Sequence, residues 1–356
     1  MPRSSPRISA RTPTEEATVI RPDVLVTAAS RRVALVRALQ QAQGRLTPRG
    51  RVIATDIDPF SPAVHVADLA AAVPRSDAPD YVDALLDVCV AHDVGVLVPT
   101  IDDELGIIAQ AADRFARAGV VVMAPSAATA HICRDKLRTA RHLQSHGIPV
   151  ADTWTPDEVR ARGLPPPLFV KPRRGRGSVG AFPALTPAHL DFFLEYVEDP
   201  VVQQYLDGPE YTIDMFCDLQ GRPISVVPRQ RLVIRSGVSD RGRTVKSPVL
   251  MDLAVRCAEV LEFRGAVNVQ CRVVDGTPII FEINPRFSGG IQLTLAAGAD
   301  FAEWTIRAGR REALRPCIGE FTDGLRMSSH EASLFLTDAD AEVLAPRMRS
   351  LAGGNA

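Results

Sequence analysis

Paired cysteines, excess charge of either sign and long apolar runs are all scarce in this 356-residue sequence. The cysteines (Cys89, Cys133, Cys217, Cys257, Cys271 and Cys317) are scattered, and none forms a CxxC pair. Their spacing fits neither a disulfide framework nor a zinc site, and it predicts a reducing compartment. The 41 Lys and Arg nearly balance the 42 Asp and Glu, which leaves no general attraction to nucleic acid or to an acidic membrane. No apolar stretch approaches the roughly 20 residues of a membrane span. Residues Met1 to Ile20 are rich in Arg, Ser, Pro and Thr, lack the apolar core of a secretory signal, and read as a disordered tail. The expectation is a soluble, cytoplasmic protein. The Walker pattern GxxxxGK[ST] is also missing, so a P-loop is excluded as a phosphate cradle.

What is present is a globular composition, 46% hydrophobic, in a chain long enough for two or three domains. Residues 23–28 (DVLVTA), Val52–Asp56, Val94–Pro99 and Val120–Ala124 are apolar runs of strand length. Helical patterns run through Val33, Leu35, Val36 and Leu39, over Tyr81–Ala91, and over Glu104–Ala118. This alternation predicts a parallel sheet covered by helices, a Rossmann-like domain over residues 21–125. Ser30, Asp56, Thr100 and Asp102 fall at strand carboxyl ends, where such folds bind ligands and where ordinary turn and cap residues also sit. The first strand–helix turn reads TAASRR, without glycine. A nicotinamide-dependent oxidoreductase, which needs that close approach to pyrophosphate, is therefore a remote alternative.

Beyond residue 125 the pattern changes. A helix is predicted over Thr129–Ser145, stopped by Gly147 and Pro149. Then come a strand at Pro167–Lys171, a glycine loop at Gly175–Gly180, a second strand from Ala181, a helix over Pro187–Val197 and a strand at Val201–Tyr205. Short strands follow at Glu210–Cys217, Ser225–Pro228, Leu232–Arg235, Ala266–Val274 and Pro278–Ile283, with one helix at Leu250–Leu261. Strands without regular helical crossovers predict antiparallel sheets, hence an α+β half. The expected divisions are a linker helix and lid over 126–202, a second lobe with a metal site over 203–315, and an extension over 316–356 ending in a frayed AGGNA.

Two segments carry chemistry. Lys171–Gly180 (KPRRGRGSVG) is a literal GxGxxG, but Pro183 argues against the helix that a dinucleotide fingerprint requires. A strand–loop–strand can instead fold over phosphates, its glycine amides close to the oxygens and Lys171 aimed at them. Arg173, Arg174 and Arg176 add positive charge; the bland alternative is an exposed basic hairpin. In the second segment, residues 265–290, two strands are joined by the tight-turn pair Asp275-Gly276. Alternation puts Glu282 and Asn284 on one face, with Gln270 across the hairpin, and these oxygens suit Mg²⁺. Arg286 follows on the same parity and can clamp a phosphate or carboxylate. An ordinary hairpin with polar residues facing water has the same pattern.

Taken in order, Asp135-Lys136, FVKPRRGRGSVG, QQYLDGPEYTIDMF, NVQ and FEINPRFSGG resemble the ATP-grasp superfamily. The likeness covers about residues 21–310 and is greatest to the branch of the carbamoyl-phosphate synthetase large subunit and amino-acid ligases. It implies an N-terminal αβ domain, a lid, and a C-terminal lobe, with ATP between the two lobes of the grasp. It implies that Lys136 and Lys171 contact the nucleotide and that the lid, including Arg176, Gly177 and Ser178, covers its phosphates. It implies that Gln203, Gln204, Tyr205 and Leu206 read the adenine edge, and that Glu210 holds the ribose. Gln270, Glu282 and Asn284 would hold Mg²⁺, with Mn²⁺ as a substitute, and Arg286 would face an acyl phosphate. Arg231 and Arg235 lie in the stretch that lines the acyl region; a charged strand edge is the alternative for them. The implied activity is an ADP-forming ligation of a small carboxylate to an amine, through an acyl phosphate, in a chain compatible with a homodimer. A carboxylase-type or carbamoyl-phosphate-synthetase-like reaction and a non-catalytic nucleotide-binding protein are the other readings. Gln203 replaces the Glu of many relatives, and neither a second ATP-grasp unit nor a glutamine-hydrolysing domain is visible, which disfavours a complete carbamoyl-phosphate synthetase.

Overall fold

The computed structural model describes residues 23–46, 49–235 and 237–339. The tail expected over 1–20, the AGGNA end and residues 340–356 of the expected extension lie outside them.

The chain opens with β1 (Asp23–Thr27), α1 (Val33–Leu46), β2 (Val52–Asp56), α2 (Pro62–Val66), β3 (Leu69–Ala72), α3 (Tyr81–Ala91), β4 (Val94–Pro99), α4 (Asp102–Gln110), α5 (Ala112–Arg117) and β5 (Val121–Val122). Its strands form a parallel sheet in the order β3-β2-β1-β4-β5. Alternate residues serve two cores. Val24, Val26, Val52, Ala54, Val96 and Val98 face one that also holds Leu35, Phe301 and Ile306. Leu25, Ile53 and Leu97 face another with Leu85, Val88, Leu105 and Ile108. Burial on both faces is why these strands read as unbroken apolar runs. The strand missed in the sequence, β3, is LAAA, which lacks the β-branched signal.

Next come α6 (Ala127–Arg134), α7 (Lys136–Ser145), β6 (Thr153–Trp154), α8 (Pro156–Arg162), β7 (Leu168–Pro172), β8 (Phe182–Ala184), α9 (Pro187–Tyr196) and β9 (Pro200–Gln204). The strands make an antiparallel sheet in the order β6-β9-β7-β8. The single helix expected over 129–145 is two. Asp135 leaves the helical region (φ −111°, ψ 108°), and its carboxylate caps the second helix through the amides of Leu137 and Arg138. The boundary expected between 202 and 203 falls inside β9, so Gln203 and Gln204 belong to the lid sheet.

The last part holds β10 (Glu210–Cys217), β11 (Pro223–Arg235), β12 (Val238–Thr244), α10 (Pro248–Val260), β13 (Gly265–Val274), β14 (Thr277–Asn284), α11 (Ile291–Ala296), α12 (Phe301–Gly309) and β15 (Arg326–Ser328). The sheet order is β14-β13-β10-β11-β12-β15. The two strands expected at 225–228 and 232–235 are one, because Pro228 is accommodated opposite Ile213. β15 pairs with β12, so the first part of the expected extension is built into this sheet. One face packs on α10 through Leu250, Leu253 and Cys257. The other, with Phe216, Ile224 and Val227, shares the core of the N-terminal sheet.

Candidate active site

The hairpin β13–β14 sets the geometry. Asp275 (φ 48°) and Gly276 (φ 79°) both adopt positive φ, as a two-residue type I′ turn requires. Gln270 then lies opposite Glu282, and Asn268 opposite Asn284. With its amide oriented to satisfy both neighbours, Gln270 donates to Glu282 Oε2 (2.8 Å) and accepts from Arg231 Nη1 (3.2 Å). Asn284 Oδ1 accepts from Arg286 Nη2 at 3.3 Å. Asn268 Oδ1 is buried without a partner. Glu282 and the side-chain oxygens of Asn284 and Asn268 are hard donors of the kind Mg²⁺ takes when phosphates and water complete its shell; Gln270 joins them with its amide turned over, since its oxygen here faces Arg231. Among the described residues no group of three or more His, Cys, Asp or Glu could hold a metal. Asn268 was missed in the sequence reading; its signal is the spacing NVQ, two residues before Gln270.

Lysines approach this hairpin from two other elements. Lys171, on β7, is 5% exposed; its Nζ donates to Phe281 O at 3.2 Å and lies 5.4 Å from the Phe281 ring centroid. Burial, reinforced by Lys136, lowers its pKa to about 8, against the opposing pull of Glu282 and Glu210. Lys136 sits at the first position of α7 because Asp135 ends α6 there. Its Nζ is 3.8 Å from Glu282 Oε1 and donates to Gly175 O at 3.0 Å. Asp135 also accepts from Arg173 Nε at 2.9 Å, so one carboxylate fixes both the helix start and the lid strand. Burial opposes the ionised form, yet the Arg173 hydrogen bond and the Arg138 amide hold this carboxyl below its usual range.

The lid is a strand–loop–strand, as expected: β7 pairs with β8, and no helix begins at the glycines. Gly177 (φ 69°), Ser178 (φ 58°) and Gly180 (φ 68°) carry positive φ. Arg176 pairs with Asp103, and Gly177 packs so closely on Gly237 that a Cβ there would come within 2.8 Å of Gly177 O. Asp102, Asp103, Lys136, Gly175, Arg176, Glu282 and Asn284 line one cleft.

Other expected residues land differently. Arg286 donates Nε and Nη2 to Asp102 Oδ2 at 3.0 and 2.7 Å. Arg235 does not join the cluster: its side chain is 67% exposed at the far end of β11 and pairs with Glu331. Two arginines of that strand do reach inward: Arg229, buried on Asp214 and donating to Ser288 Oγ at 2.9 Å, and Arg231, which donates to Glu210 Oε1 (2.6 Å) and Gly237 O (2.8 Å). Glu210 has both oxygens on arginines, Arg231 and Arg272, rather than open to a hydroxyl. Gln203 donates its amide Nε2 to Thr153 Oγ1 (2.9 Å) inside the lid sheet, and Gln204 N donates to Asp152 O at 2.8 Å. Tyr205 and the buried Leu206 follow in the link to β10.

Two family profiles match this chain. One, described as "ATP-grasp in the biosynthetic pathway with Ter operon", covers residues 196–332, and the other, "PylC-like, N-terminal domain", covers residues 24–123. The carbamoyl phosphate synthase arginine-specific large chain of Bacillus subtilis is 24% identical over 197 residues, 50% of this chain and 19% of that one. The D-alanine–D-alanine ligase of Marinomonas is 31% identical over 107 residues, 27% of this chain and 33% of that one. The matched segments thus span a third or less of either relative's length. In three dimensions the chain is similar to the biotin carboxylase of Campylobacter jejuni, with a TM-score of 0.68 and 15% identity, covering 88% of this chain and 75% of that one.

Proposed function

We propose, from a chain of the ATP-grasp superfamily, that this protein is an ATP- and Mg²⁺-dependent ligase joining a small carboxylate to an amine. The observation that carries the reading is convergence. Lys171 from the lid strand, Lys136 from a helix start and the oxygen-rich Gln270–Glu282–Asn284 set meet around one hairpin. An ammonium pair beside hard oxygen donors suits a metal–triphosphate better than any metal-free anion.

In this reading the carboxylate oxygen of the substrate attacks the γ-phosphorus of ATP, the bond to the β-γ bridging oxygen breaks, and ADP leaves. The amine then attacks the acyl carbon, gives up a proton, and inorganic phosphate departs. Mg²⁺ held by Glu282, Asn284 and Gln270 would draw charge off the phosphates. Lys171 and Lys136 neutralise the migrating group, and the lid excludes water from the acyl phosphate. Arg286 borders the same group. No protein nucleophile is required. The substrate class that fits best is an amino acid, since the D-alanine ligase of Marinomonas joins amino acids by its name.

The experiment is a phosphate-release screen of carboxylic acids, bicarbonate among them, crossed with amines, followed by the mass of the product. Phosphate release that needs both an acid and an amine, with a product lighter than their sum by one water, supports the ligase. Release with bicarbonate alone points to a carboxylase-type reaction, and oxidation of a nicotinamide read at 340 nm would overturn both.

A further inference from the structure

The strand order of the N-terminal sheet reverses between β1 and β4. In open α/β sheets the crevice outside the strand carboxyl ends at such a point is a ligand site. Here a distant part of the chain reaches it. Arg32, after β1, donates Nη1 to Phe287 O and Ser288 O, both at 3.0 Å, and Nη2 to Thr100 O at 2.8 Å. Asp102, after β4, takes Arg286 on one carboxylate oxygen through Nε and Nη2. Arg286 also donates Nη2 to Asn284 Oδ1 at 3.3 Å and Nη1 to Phe287 O at 3.0 Å. A guanidinium has five N–H donors. These bonds leave one of them, on Nη1, uncommitted.

The arrangement has an electrostatic cost. Arg32 is bonded only to main-chain carbonyls and stands near Arg286, and its pKa falls to about 9, through burial first and Arg286 second. Asp102 is the carboxylate bonded to Arg286; Glu104 is buried on Tyr81 and two amides, and burial pushes its carboxyl up. Two guanidiniums, Arg32 and Arg286, thus meet in the crevice while it grips main chain. The segment so gripped directly follows the β13–β14 hairpin.

We propose that Arg32 and Asp102 are positioning residues: the crevice of the N-terminal sheet holds the Arg286–Ser288 segment and aims the uncommitted Arg286 donor at the γ-phosphoryl group. This rests on the nucleotide reading above.

The test compares calorimetric binding of Mg-ADP with that of a non-hydrolysable Mg-ATP analogue. In Asp102→Asn and Arg32→Met the analogue weakens about tenfold, equivalent to ~1.4 kcal/mol, while Mg-ADP stays within about twofold. Arg32→Lys, which keeps a cation with three donors, recovers most of the lost discrimination. Asp102→Asn is isosteric and carries the test alone where Arg32→Met does not fold. Equal weakening of both ligands means a merely structural role and overturns the proposal, as does no change in either. Wild-type protein that binds neither ligand overturns the nucleotide reading itself; binding of both by wild type with the outcomes just named overturns the positioning role alone.

Discussion

Lys171 is where charge and burial conflict most. Its native pKa of about 8 lies below the ~10.4 of an unfolded lysine. Between those values the unfolded chain holds more protons, so stability rises with pH across that window; below it the buried charge weakens the fold by a constant amount. Nucleotide binding runs the other way, because it needs the ammonium. Mg-ADP affinity measured by calorimetry should fall as pH rises through about 8, and the Lys171→Arg profile should stay flat there because arginine remains charged. Lys171→Met separates fold from function. Methionine removes a buried charge at similar volume, which is often neutral or stabilising, so the melting temperature should hold or rise. Mg-ADP binding should weaken by ~2 kcal/mol or more, about thirtyfold. A variant that binds as tightly as wild type would remove Lys171 from the site. Local pattern pointed to Lys171 and Glu282, whereas Lys136 came forward only through the family resemblance. The sequence could not separate Arg231 from Arg235, since both have the same parity on β11 and only the sheet's far partners, Glu210 and Glu331, distinguish them.

At the scale of elements, the break between α6 and α7 matters most. Asp135→Ala removes a helix cap, typically ~1 kcal/mol and up to about 2, together with the Arg173 pairing. Urea unfolding should register that loss, and Mg-ADP binding should weaken as Lys136 loses its anchor; unchanged stability would contradict the capping role. The Asp135 carboxyl is held low, so its contribution is present above about pH 4 and lost as pH falls below it. A second element contact is α12 on β4. A Cβ added at Gly309 would overlap Val96 Cγ2, so Gly309→Ala should destabilise by ~1–3 kcal/mol in the same assay. The β13–β14 hairpin was legible because Asp275-Gly276 encodes its turn and the strands alternate around it. β3, β12 and β15 were not. The alanines of β3 carry no strand signature, β12 (VSDRGRT) pairs with its neighbour β11 but is too polar to show an apolar alternation, and β15 holds its place by pairing with β12, far away in sequence.

Across the whole molecule, all three parts of the chain border one cleft. The start of α4 supplies Asp102 and Asp103, the lid supplies Gly175 and Arg176, and the large sheet supplies Glu282 and Asn284, while Lys171 from the lid sheet reaches the same hairpin at Phe281 O. None of the helices among the described residues is long and apolar enough to cross a membrane. The shared core between the N-terminal sheet and Phe216, Ile224 and Phe301 ties the first and last parts into a frame against which the lid is set. The parallel-then-antiparallel division was readable because fully buried strands give continuous apolar runs and half-buried ones alternate. The contacts between domains were not, since Arg32 to Phe287 and Asp102 to Arg286 are single polar pairs between distant segments. The most direct measurement is a calorimetric titration with ADP, with and without Mg²⁺, of wild type and of Glu282→Ala. The account predicts one nucleotide per chain, Mg²⁺-dependent binding, and loss of that dependence in the variant. Binding that ignores both Mg²⁺ and Glu282 would contradict it.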